Sequence, residues 1–137
     1  ADLLVARGDW DEARLESEAA LRVRRQVHGD RHADVGRSEI QLARILLGLG
    51  RASSAESRAR AGLDILVETL PADHWSTSDA RSVLGMTLAA LGRPDEAETL
   101  LVRGYEELRT SVGADHPRTR TAADRLDAFR ERGDGPR

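Results

Sequence analysis

The 137 residues carry 21 basic and 24 acidic side chains, a net charge of −3 with both signs intermixed, which excludes the basic stripe of an ordinary nucleic-acid binder. Cysteine is absent, so disulfides and thiolate metal sites are excluded, and aromatics make up only 3%, which leaves Leu, Ile, Val and Ala to build a core suited to helices. No apolar run is long enough to span a bilayer and no signal peptide is visible, so the expected compartment is cytoplasmic; the exclusive use of Arg over Lys points to a GC-rich, bacterial genome.

Ala1–Arg7 reads as the second half of a short helix, and the chain opens as an excised piece would. Gly8 is expected to end that helix in a turn, after which Asp9 caps a long helix to about His28. Trp10, Ala13, Ser17, Ala20, Leu21 and Val27 form its apolar or small-residue stripe, interrupted by Arg24. The segment 29–34 is a loop. A helix over Val35–Leu49 follows, with Leu42, Ala43, Leu46 and Leu49 on one face, then a turn at Gly50 and a second helix to Leu70 carrying Ala55, Ala59, Gly62, Leu63 and Leu66. Pro71 breaks it. The pattern returns from Trp75 to Leu91, turns at Gly92, places Pro94 at the start of a helix, and runs on through Ala97, Leu101, Gly104, Tyr105, Leu108 and Val112. A last helix spans Pro117 to about Arg132.

This punctuation is periodic. Gly8, Gly50 and Gly92 stand 42 residues apart, as do Ala13, Ala55 and Ala97, and as do His32, His74 and His116. A fixed period of this size marks a stacked-repeat protein whose unit is a helical hairpin. The fold expected is all-α: an α-solenoid of about three antiparallel hairpins and a C-terminal capping helix. Its divisions are a partial first repeat over 1–28 with a truncated first helix, repeats over 33–70 and 75–112, the cap over 117–132, and a flexible tail over 133–137. In the last helix, Asp127 and Arg130 replace the core positions Gly85 and Leu88, as a cap whose outer face meets water requires.

Several sharper patterns have plainer explanations. His28 and His32 are four apart, a metal-ligand spacing on a helix, but Gly29 lies between them; the reading is a structural role at the turn, with no metal site. Arg7-Gly8-Asp9 and Arg132-Gly133-Asp134 each spell a cell-adhesion tripeptide by chance. The serines are scattered over helices without a strained elbow or a paired histidine, and no glycine loop cradles phosphate, so no catalytic residue and no cofactor is expected.

The run Leu42-Ala43…Leu46…Gly50-Arg51…Ala55, its copy Leu84-Gly85…Leu88…Gly92-Arg93-Pro94-Asp95-Glu96-Ala97, and the linkers at Asp73-His74 and Asp115-His116-Pro117 resemble the tetratricopeptide repeat family in its kinesin-light-chain-like form. The resemblance implies a non-catalytic scaffold that holds a protein or peptide partner on a concave face; the balanced charge and short apolar runs set out above argue against nucleic acid and membrane as partners. Alignment puts Arg37, Ile40, Gln41, Arg44, Asp79, Ser82, Met86, Thr121, Asp124 and Ala128 on that face. The family often places Asn there; this chain has none, and Gln41, Ser82 and Asp124 are the side chains able to hydrogen-bond a ligand. Bacterial repeats of this kind also resemble those that recruit substrates or regulate within larger signalling enzymes, Ser/Thr kinases or NTPases. A third reading is self-association through an apolar end patch of Leu3, Leu4, Val5 and Trp10.

Overall fold

The structure, a computed structural model, describes residues 2–133, with side chains for residues 8–132. The side chains of Leu3, Leu4 and Val5 and the tail residues 134–137 lie outside the described residues. Among those described there are six α-helices and no strand: α1 Asp2–His28, α2 Ala33–Gly48, α3 Ala52–Thr69, α4 Trp75–Ala90, α5 Pro94–Val112 and α6 Pro117–Gly133. The chain is an all-α helical repeat. It divides into two compact units, residues 1–70 and 71–137.

In the first unit α2 lies between α1 and α3. Its apolar residues face both neighbours: Val35, Leu42, Ala43, Ile45 and Leu46 are buried, together with Ala55, Ala59, Ile65 and Leu66 of α3 and Leu21 of α1. The helices are antiparallel because α2 ends in a tight reversal. Gly50 takes φ +77°, donates its N–H to Leu47 O, and lets Arg51 N–H reach Leu46 O, which satisfies carbonyls that the helix end would otherwise leave open. Farther along, α2 and α3 cross at backbone distance, where a β-carbon on Gly62 would lie 2.8 Å from Gly36 O.

The second unit repeats this construction. Gly92 takes φ +76°, with Gly92 N–H to Ala89 O and Arg93 N–H to Leu88 O. Ala80, Val83, Leu84 and Leu88 of α4 are buried, as are Ala97, Leu101 and Leu108 of α5. The α6 helix adds Ala122 and Leu126 to the core and leaves Asp127 and Arg130 exposed.

Two local expectations fail. Gly8 makes no turn: α1 runs through it without a break. Continuing the helix keeps every backbone bond at the modest cost of one interior glycine, and no close approach demands glycine there, since a β-carbon would meet nothing within 4 Å. Val27, expected in the apolar stripe of α1, is 70% exposed, while the ring of its neighbour His28 stacks on His32.

Candidate interaction surface

The periodic histidines have a definite local role. His32 Nδ1 accepts the N–H of Asp34 at 3.0 Å, His74 Nδ1 that of Ser76 at 3.1 Å, and His116 Nδ1 that of Arg118 at 3.1 Å. Each imidazole thus takes up one of the orphan donors at the start of α2, α4 or α6 and fixes where that helix begins.

Within the first unit α2 turns Arg37, Gln41 and Arg44 outward. Arg37 and Gln41 are exposed and Arg44 is half-buried, its Nη1 donating to Gln41 Oε1 at 3.4 Å. Arg37 donates to Asp34 Oδ1 at 2.7 Å, and this hydrogen bond is the main cause holding the Asp34 carboxyl below its ordinary value. Ile40, expected on the same face, is buried, and its side chain fills the space beside Gly62.

Within the second unit the expected residues separate. Asp79 and Ser82 are buried, and their oxygens are already engaged: Arg125 Nη1 donates to Ser82 Oγ at 3.1 Å and lies 3.4 Å from Asp79 Oδ1, while Arg118 sits 3.5 Å from Asp79 Oδ2. Their polar atoms hold α6 against α4 instead of facing a ligand. Met86 is half-buried, and Thr121, Asp124 and Ala128 are exposed on α6. Thr121 spends its hydroxyl on Pro117 O at 2.9 Å. Trp10 is 38% exposed and lies across Gly48, where a β-carbon would come within 2.9 Å of the indole.

Sequence reasoning missed the buried charge pairs. Glu39, fully buried in α2, accepts from Arg25 of α1 at 2.9 Å and from Arg58 of α3 at 3.0 Å, so one carboxylate ties three helices. The residue one period on is Arg81, which donates to Glu107 of α5 at 2.8 Å with the polarity reversed. The available signal was a charged residue at the same repeat position in both units, three and four residues before the packed pairs Leu42-Ala43 and Leu84-Gly85 and so on the apolar face of its helix.

Residues 1–66 match a family model described as a tetratricopeptide repeat, and residues 77–118 match a second model of the same description. The chain belongs to the tetratricopeptide repeat family. A search of curated proteins gave no match. Tetratricopeptide repeats generally mediate protein–protein interaction and are typically non-catalytic. Among the described residues no helix is long and apolar enough to cross a membrane.

Proposed function

We propose that this tetratricopeptide repeat protein binds an acidic, extended segment of a partner protein along the exposed face of α2. The observation that carries the reading is the outward row Arg37, Gln41 and Arg44: two guanidinium groups offering planar paired donors to carboxylates, with an amide between them able to bond a peptide backbone. The Arg37–Asp34 pair is half-exposed, and surface pairs of this kind are worth little, so a ligand carboxylate can exchange with it. The 42-residue spacing of Gly50 and Gly92, and of His32, His74 and His116, supports the kinesin-light-chain-like subclass.

Fluorescence anisotropy with labelled extended peptides, one Asp/Glu-rich and one Lys/Arg-rich, tests it. The acidic peptide should bind in a salt-sensitive manner, and Arg37→Glu/Arg44→Glu should weaken it at least tenfold. Equal binding by the double variant removes the reading.

A second reading, self-association, is favoured by a specific observation: α1 exposes Leu15, Val23 and Val27 as well as part of Trp10. These apolar side chains would find cover against a second copy.

A further inference from the structure

The turn between α1 and α2 differs from its two repeat equivalents. Each of the three turns ends in a capping histidine, but at the second and third the positions of His28 and Asp34 are held by Leu70 and Ser76, and by Val112 and Arg118. At the first turn the structure gathers His28, His32 and Asp34 so that one ligating atom from each lies within 4.8 Å of the others. His28 Nε2 stands 3.7 Å from Asp34 Oδ2, His32 Nδ1 stands 3.8 Å from the same oxygen, and the two imidazoles are stacked 4.2 Å apart.

We propose that His28, His32 and Asp34 form a binding site for a borderline divalent cation such as Zn²⁺, with water completing the coordination. Two imidazoles and one carboxylate are a ligand set that zinc accepts and that magnesium and calcium do not favour. A tetrahedral shell with bonds of about 2.0–2.1 Å needs ligand atoms about 3.3 Å apart, and an imidazole binds in its own plane, so the two stacked rings must turn out of parallel for their nitrogens to converge on one ion. The site couples two helices, with His28 at the C-terminal end of α1, where a cation is favoured by the peptide dipoles. Arg37 holds Oδ1 of Asp34 and leaves Oδ2 directed at the histidines. The same Arg37 charge and the N-terminus of α2 oppose a cation and weaken its binding.

Coordination has one local consequence. An imidazole that accepts at Nδ1 carries its proton at Nε2 and has no second lone pair, so His32 must release the Asp34 N–H to bind metal. That N–H lies at a solvent-accessible helix end, where water replaces the lost partner. Binding of the ion therefore opens the α2 cap while the His74 and His116 caps stay closed.

Calorimetric titration of the metal-stripped chain with Zn²⁺ at pH 7.5 tests the proposal, with Mg²⁺ as control. One equivalent should bind, and His28→Leu or Asp34→Ser, which install the residues of the next turn, should each weaken binding at least tenfold. In NMR spectra of the unmodified chain, Zn²⁺ should shift the His28 and His32 ring signals and the Asp34 amide, and leave those of His74 and His116 in place. No binding, equal affinity in both variants, or equal shifts at all four histidines overturns the proposal. The NMR arm decides it even if a variant fails to fold.

Discussion

A β-carbon added to Gly104 would stand 2.9 Å from the carbonyl oxygen of Ser78, inside any real carbon–oxygen contact. One period earlier Gly62 bears the same relation to the carbonyl oxygen of Gly36. Both hairpins thus bring a glycine against the backbone of the facing helix. Gly104→Ala should lower stability by roughly 1–2 kcal/mol, because overpacking costs more than the gain in helix propensity returns, and Gly104→Leu should lower it further. Urea unfolding followed by circular dichroism measures both.

Gly8 provides the opposite sign. It sits inside α1, and a β-carbon there meets nothing within 4 Å. Gly8→Ala should raise stability by about 0.5–1 kcal/mol through a better helix former and a less flexible unfolded chain. A thermal melt that moves downward would mean that a turn at Gly8 is needed after all.

Glu39 is fully buried between Arg25 and Arg58, whose side chains keep 38% and 37% of their exposure. Glu39→Ala removes the carboxylate and leaves both cations at the helix interfaces. Because both arginines can turn partly to water, the loss falls below that for a wholly buried pair, at about 1–3 kcal/mol in urea titration. Arg31 and Glu68 also form an ion pair, but an exposed one, and Glu68→Gln should leave the same titration unchanged.

What was legible in the sequence was what local chemistry decides. The reversals at Gly50 and Gly92 are written in the glycine that alone takes positive φ comfortably, and the helix starts are marked by His32, His74 and His116, each acting two residues away. The same rule misled at Gly8, which lies inside α1: a glycine permits a turn but does not impose one. The candidate site was less legible because its pairings are distant in the chain. Asp79 and Ser82 look like surface polar residues until Arg125, 46 and 43 positions on, is seen to reach them. Asp34, the third member of the proposed cation site, belongs to the next helix, so the spacing His-x3-His-x-Asp reads in the sequence as one helix end followed by a new start.

The Asp34 carboxyl is held below its ordinary value of 3.8, chiefly by the hydrogen bond from Arg37, with the Arg37, His32 and His28 charges acting in the same direction. A carboxyl whose value is lower in the folded chain than in the unfolded one stabilises above about pH 4. That contribution is lost as pH falls through the folded value. Asp34→Asn should therefore flatten the acid limb of stability against pH, with the two chains differing at neutral pH and converging once the pH has fallen below the folded value of Asp34. The contribution is small, since Asp34 is 41% exposed, so matched urea titrations at several pH values are the suitable readout.

Self-association through α1 can be separated from folding because Val23 and Val27 are 57% and 70% exposed, in contrast to Leu21, which packs in the core. Val23→Glu/Val27→Glu should leave the urea midpoint of the chain within error, since neither side chain is buried, and surface changes of this type alter stability little. On the self-association reading the unmodified chain sediments with a mass that rises with concentration, and the double variant sediments as a monomer throughout. Two glutamates facing their counterparts across such an interface would meet both lost apolar cover and like charge. If both chains sediment as monomers at all concentrations, the apolar residues of α1 do not join copies of this protein.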